Sequence, residues 1–149
     1  MPTPVTIAAK VTIDAEPETV WRAVVDWPRQ REWIWGTRVN GGHGTGAGVT
    51  GRTGLGPVGF TDPMVITDWD PPRRCIVRHT GRVVRGTGTF EVAPFGPGSE
   101  FRWIEHLQLP VPPAVGALAA RMITPAAEWG LRSSLRRFAR LFPALTPQD

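Results

Sequence analysis

The chain has 149 residues, one domain's worth, which is enough for a core and an internal cavity. With 41% hydrophobic and 20% charged residues it has neither a disordered nor a membrane-spanning composition, and no stretch approaches the roughly 18 apolar residues of a bilayer span. The net charge of +4 comes from 16 Arg and one Lys interspersed with 13 acids, and the single cysteine, Cys75, excludes an internal disulfide and a thiolate metal site.

Met1 to Ala9 lacks a basic start and a long apolar run, so it is not expected to be a signal peptide. Val5 to Ile13 alternates apolar and polar residues and predicts a half-buried strand. Asp14-Ala15-Glu16-Pro17-Glu18 then opens a helix, with Pro17 in the first turn and Val20, Trp21, Val24 and Val25 as its apolar face. Pro28 is expected to end it, and Gln30 to Trp35 reads as a second short helix.

Six further strands are expected over Ile34–Asn40, Gly48–Leu55, Val58–Trp69, Cys75–Thr80, Val83–Ala93 and Ser99–Leu109. Glycine and proline breaks between them predict an antiparallel meander. Pro63, inside the third of these, predicts a bulge or an edge position. The glycine-dense run from Gly41 to Gly48 has no helix after it, so it is no phosphate cradle; it reads as a flexible hairpin and a candidate lid.

From Pro112 to Phe142 the pattern is helical, with Ala127, Leu131, Leu135, Phe138 and Phe142 on one stripe. Pro125 is expected to kink or split this helix. Arg132, Arg136 and Arg140 share a face that reads as solvated, and without stacking platforms or a basic motif no nucleic-acid partner is expected. The order is α+β: strand, one or two short helices, six strands and a long helix covering one face of the sheet.

Three segments resemble a known superfamily. They are VTIDAEPETVWRAVVDWPRQREW (residues 11–33), ITDWDPPRRCIVRH (66–79) and GTGTFEVAPFGPGSEFRW (86–103). They are similar to the START-like (SRPBCC) superfamily, and most of all to its polyketide cyclase/dehydrase and lipid-transport group. The resemblance spans nearly the whole chain. It implies a helix-grip fold over residues 1–149, a curved seven-stranded antiparallel sheet wrapped around the long C-terminal helix. It also implies a cavity between sheet and helix, and it leaves open whether the protein carries, senses or transforms its ligand.

Alternation assigns residues to that cavity. On the last strand Phe101, Trp103 and Glu105 share the more apolar face, and on the strand before it Gly86, Gly88 and Phe90 do. Val77 and His79 point inward from the strand that starts at Cys75, and Phe60 and Met64 from the strand that contains Pro63. Trp35 and the helical Ala127, Leu131 and Leu135 complete the expected lining. Gly86 and Gly88 read either as space above the sheet or as a bend. Glu105 and His79 read either as polar groups of an apolar pocket, and hence candidate acid/base residues, or as an Arg-paired carboxylate and an edge histidine.

Two functions follow from different classes. One is binding of an apolar or amphipathic, lipid- or polyketide-like molecule. The other is a polyketide aromatase/cyclase or dehydratase. No cofactor or metal site is expected, nor stable membrane insertion. The protein is expected to be cytoplasmic, as a monomer or homodimer.

Overall fold

The computed structural model describes residues 2–142. Its elements are β1 (Thr3–Ile13), α1 (Pro17–Val24), a 3₁₀ helix (Trp27–Glu32), β2 (Thr37–Gly41), β3 (Gly48–Leu55), β4 (Val58–Asp70), β5 (Arg74–Thr80), β6 (Arg85–Phe95), β7 (Gly98–Leu109) and α2 (Pro113–Arg140). The strands form one antiparallel sheet in the order β1-β7-β6-β5-β4-β3-β2. This is the curved seven-stranded sheet with a long C-terminal helix that the element order predicts.

Boundaries shift where turn chemistry overrides pattern. Pro28 does not end α1; it sits in the first turn of the 3₁₀ helix, where a missing N–H costs nothing. That helix therefore starts earlier than Gln30, and the chain stays in turns through Gly36. The Ile34 N–H donates to the Gln30 carbonyl (2.8 Å) and the Thr37 N–H to the Ile34 carbonyl (3.3 Å), so β2 begins at Thr37 rather than Ile34.

Neither expectation for Pro63 holds. β4 is interior, between β3 and β5, and Pro63 pairs with Thr50 in unbroken register. The β5 ladder begins only at Met64 opposite His79, so the missing proline N–H lies just outside it. The register break falls between Ile66 and Asp68 instead. There the Ile66 N–H and C=O bond to the glycine-rich loop, through the Ala47 carbonyl (2.9 Å) and the Gly46 N–H (2.8 Å).

That loop is anchored further. The Trp27 indole N–H donates to the Gly42 carbonyl at 2.8 Å, and the His43 ring lies 5.6 Å from the Trp27 ring in a stacked arrangement. None of residues 41–48 lines the cavity described below, which corrects the reading of the loop as a lid.

Pro125 does not split α2, which runs through it from Pro113 to Arg140. The Pro125 ring removes the N–H that would bond the Arg121 carbonyl, and Arg121 is exposed to solvent. α2 lies mainly along β1. Gly116 touches the start of that strand, where an added Cβ would meet Thr3 Oγ1 at 1.8 Å.

The core forms where the C-terminal half of α2 meets β6, β7 and the residue after the 3₁₀ helix. Trp33 is its hub, with ring centroids 5.0 Å from Phe138, 5.9 Å from Phe101 and Trp103, and 6.1 Å from Phe90. Edge-on packing of this kind adds about 0.5–1.5 kcal/mol per pair beyond burial.

Candidate functional site

A cavity of about 210 Å³ opens on the inner face of the sheet. Its floor is built by alternation. Thr37 and Val39 come from β2, Val49, Gly51 and Thr53 from β3, Asp62 and Met64 from β4, and Cys75, Val77 and His79 from β5. β6 adds Gly88, Thr89 and Phe90, and β7 adds Trp103 and Glu105. The roof is Trp27, Gln30 and Ile34, from the 3₁₀ helix and the turn after it. Gln30 is buried and donates through Nε2 to the Val24 carbonyl at 3.0 Å, which ties this roof to the end of α1.

Polar groups cross the floor in one line. His79 Nδ1 lies 2.9 and 3.0 Å from the two Asp62 oxygens, and Nε2 lies 3.0 Å from Glu105 Oε2. The Trp103 indole N–H donates to Glu105 Oε1 at 2.7 Å. Asp62 is on β4, His79 on β5 and Glu105 on β7, so the line must pass over β6.

It does so at Gly88. Gly88 pairs with Val77 on one side and Glu105 on the other. A Cβ there would stand 2.8 and 3.0 Å from the Glu105 oxygens. The missing side chain is the space through which the Glu105 carboxylate reaches the imidazole.

Burial alone would push His79 down, but its hydrogen bonds to Asp62 and Glu105, with their charges, outweigh it and raise the pKa to about 9. At neutral pH the centre is therefore an imidazolium held between two carboxylates, with net negative charge. Cys75, also on the floor, is pushed up to about 12 by burial and by nearby Asp68, which leaves it an unreactive thiol. Among the described residues every buried side-chain polar atom has a hydrogen-bond partner, and no group of three His, Cys, Asp or Glu is arranged to hold a metal ion.

Of the residues expected at the cavity, Met64, Val77, His79, Gly88, Phe90, Trp103 and Glu105 line it. The others do not. Trp35 is 68% exposed, on a turn that carries it outward. Phe60 sits half-buried near the β3–β4 hairpin, opposite Thr53. Phe101 and Leu135 are fully buried in the core around Trp33 and Phe138.

Gly86 has φ of +121°, and an added Cβ would meet the His106 carbonyl oxygen at 1.9 Å. It marks a positive-φ position where the β7 backbone comes close, in unbroken register, whereas Gly88 marks space. Ala127 and Leu131 belong to α2, which contributes no lining residue, because that helix lies along β1 while the cavity sits over the middle of the sheet and β2. The cavity is roofed by the 3₁₀ segment rather than by the long helix.

Asp62, Gln30 and Trp27 were not anticipated as site residues. Asp62 carries the signal that marks Glu105, a carboxylate in an alternating apolar series (Phe60, Asp62, Met64, Ile66). The roof residues Trp27, Gln30 and Ile34 are three and four apart, but the polar Gln30 interrupts the apolar stripe that would mark them.

A family model described as polyketide cyclase/dehydrase and lipid transport matches residues 4–143. Among solved structures, the chain is similar to the Zhui aromatase/cyclase from Streptomyces sp. R1128, with a TM-score of 0.74, 15% identity and 93% of each chain covered. It is also similar to the Mll3558 protein from Rhizobium loti (TM-score 0.72, 19% identity, 94% of this chain and 98% of that one). TTHA0849 from Thermus thermophilus is a third such structure (TM-score 0.69, 18% identity, 91% of this chain and 94% of that one). At these identities the likeness is one of fold. No curated protein matches the chain in sequence.

Proposed function

The chain belongs to the polyketide cyclase/dehydrase and lipid-transport family, and from that premise we propose that it binds a compact, mainly apolar small molecule that presents a hydrogen-bond donor to Asp62 and Glu105. The observation that carries this reading is the line Asp62–His79–Glu105 across an otherwise largely apolar floor. A few convergent polar groups in an apolar pocket fix a ligand's orientation.

The volume and the charge narrow the ligand. About 210 Å³ is below the roughly 300–1,000 Å³ of drug-sized sites, so the buried body is small. Both imidazole nitrogens are already engaged, and the carboxylates keep free lone pairs. A hydroxyl or N–H on the ligand is therefore favoured over a carboxylate, which the net negative centre would repel. Native mass spectrometry of the purified protein, followed by solvent extraction, tests this. The expected result is a one-to-one apolar adduct bearing a hydroxyl or amine; a stoichiometric carboxylic acid would overturn the reading.

One observation favours a second reading, acid-assisted chemistry of the cyclase or dehydratase kind. His79 holds its proton to about pH 9 beneath the cavity, where a ligand carbonyl that displaced Glu105 would meet a proton donor. His79→Asn separates the two. Wild-type turnover of a ketone substrate that collapses in this variant, with binding retained, supports the chemistry; a bound ketone that the wild type leaves unchanged, or turnover that survives the substitution, excludes it.

A further inference from the structure

A second, solvent-open groove lies at the β2 edge of the sheet, where the turn before β2 meets the β3–β4 hairpin. The Gly54 N–H donates to the Gly36 carbonyl at 2.9 Å, which holds Trp35-Gly36 against Gly54-Leu55. Leu55 pairs with Val58 across the hairpin tip. Trp35, Leu55 and Val58 are 68%, 65% and 75% exposed, a cluster of large apolar side chains on two projecting turns.

Arg31, Arg38 and Arg52 line the same groove. Arg38 and Arg52 stand directly opposite each other on β2 and β3, an unfavourable placement for like charges. None of the three has an ion-pair partner among the described residues, and the one acid in the groove, Glu32, is taken by Arg29 at 3.0 Å.

We propose that this patch docks the protein peripherally on an anionic lipid bilayer. Trp35, Leu55 and Val58 enter the headgroup region, and Arg31, Arg38 and Arg52 lie against anionic headgroups. Tryptophan favours the membrane interface, and an apolar wedge beside a basic cluster supplies the two signals that stable surface attachment needs. The anionic surface also relieves the Arg38–Arg52 repulsion. The apolar residues sit on a turn and a hairpin tip instead of forming a flat packed face, which favours a bilayer over an acidic protein. Thr37 lines both this groove and the cavity, so docking would bring the cavity's edge to the membrane. Docking does not depend on what the cavity binds.

The test is co-sedimentation of the full chain with vesicles of phosphatidylcholine, and of equimolar phosphatidylcholine and phosphatidylglycerol. The wild type is expected to sediment only with the anionic vesicles. The R38E/R52E variant should partition at least about 25-fold less, at roughly fivefold for each of the two cations lost. The Trp35→Ser/Val58→Ser variant should also lose attachment. R136E/R140E, the same change in net charge on exposed residues of α2, should stay near wild type. All these side chains are exposed, so the fold is retained. Equal loss in the α2 control would overturn the proposal as mere net-charge adhesion. Full binding by the Trp35/Val58 variant would overturn it in favour of a purely electrostatic surface of the kind an acidic protein recognises. No binding to anionic vesicles would overturn it outright.

Discussion

Glu105 and His79 lie on strands separated by β6 and still meet at 3.0 Å, because Gly88 stands between them without a side chain. Gly88→Ala is expected to push the carboxylate aside. The backbone tolerates alanine, since Gly88, unlike Gly86, does not have positive φ. The His79 pKa should then fall from about 9 toward its ordinary value as the Glu105 hydrogen bond is lost. An NMR titration of the imidazole reads this directly, and an unchanged midpoint would show that Glu105 does not hold the proton.

The raised pKa of His79 makes stability depend on pH in a defined window. The folded protein binds this proton more tightly than the unfolded chain, whose value is near 6.5. The stabilisation is therefore complete below about pH 6.5 and lost as pH rises through about 9, and it is on the order of 3 kcal/mol. Urea midpoints should fall across this window in the wild type. They should be nearly flat in His79→Asn, though that variant is less stable throughout.

Cys75 should be inert in the native state. It is buried, and its thiol is pushed up to about 12. An aromatic disulfide reagent at pH 8 is expected to react only through unfolding, with a rate that climbs steeply once urea exposes the strand. Fast stoichiometric labelling of the folded protein would contradict this.

Trp33 is expected to be the most costly aromatic to remove. It is 1% exposed and touches four other rings. Trp33→Ala should cost about 3–5 kcal/mol in chemical denaturation. Trp35→Ala, two residues on and 68% exposed, should lie within about 0.5 kcal/mol of wild type.

Much of this was legible in the sequence, because period-2 alternation is a direct image of a two-faced sheet. It put Glu105, His79, Trp103 and Gly88 on one face, and the glycine and proline breaks bounded β3 to within a residue. Alternation says which face a residue takes, but not which strand end it occupies or what lies above it. Phe101 and Trp103 share a face, yet one is sealed under Phe138 and the other lines the cavity. Asp62 was visible on its face but was obscured by Pro63, whose effect depends on where the β5 ladder starts. The two β6 glycines looked alike in sequence, and only the backbone distinguishes the positive φ and close β7 backbone at Gly86 from the space at Gly88. The roof was not read, because the segment is docked through the polar Gln30 and the Trp27 indole, and a buried glutamine interrupts the apolar stripe at 27, 30 and 34.

The proposed recognition of a compact apolar body through a donor aimed at Asp62 and Glu105 is tested most directly by an NMR titration with three molecules of one shape: 2-naphthol, naphthalene and 2-naphthoate. Shifts are expected at Met64, Val77 and Trp103, with naphthol binding at least about tenfold tighter than naphthoate, and that preference shrinking in Asp62→Asn and Glu105→Gln. Shifts confined to the protein surface, or naphthoate binding as tightly as naphthol, would contradict it.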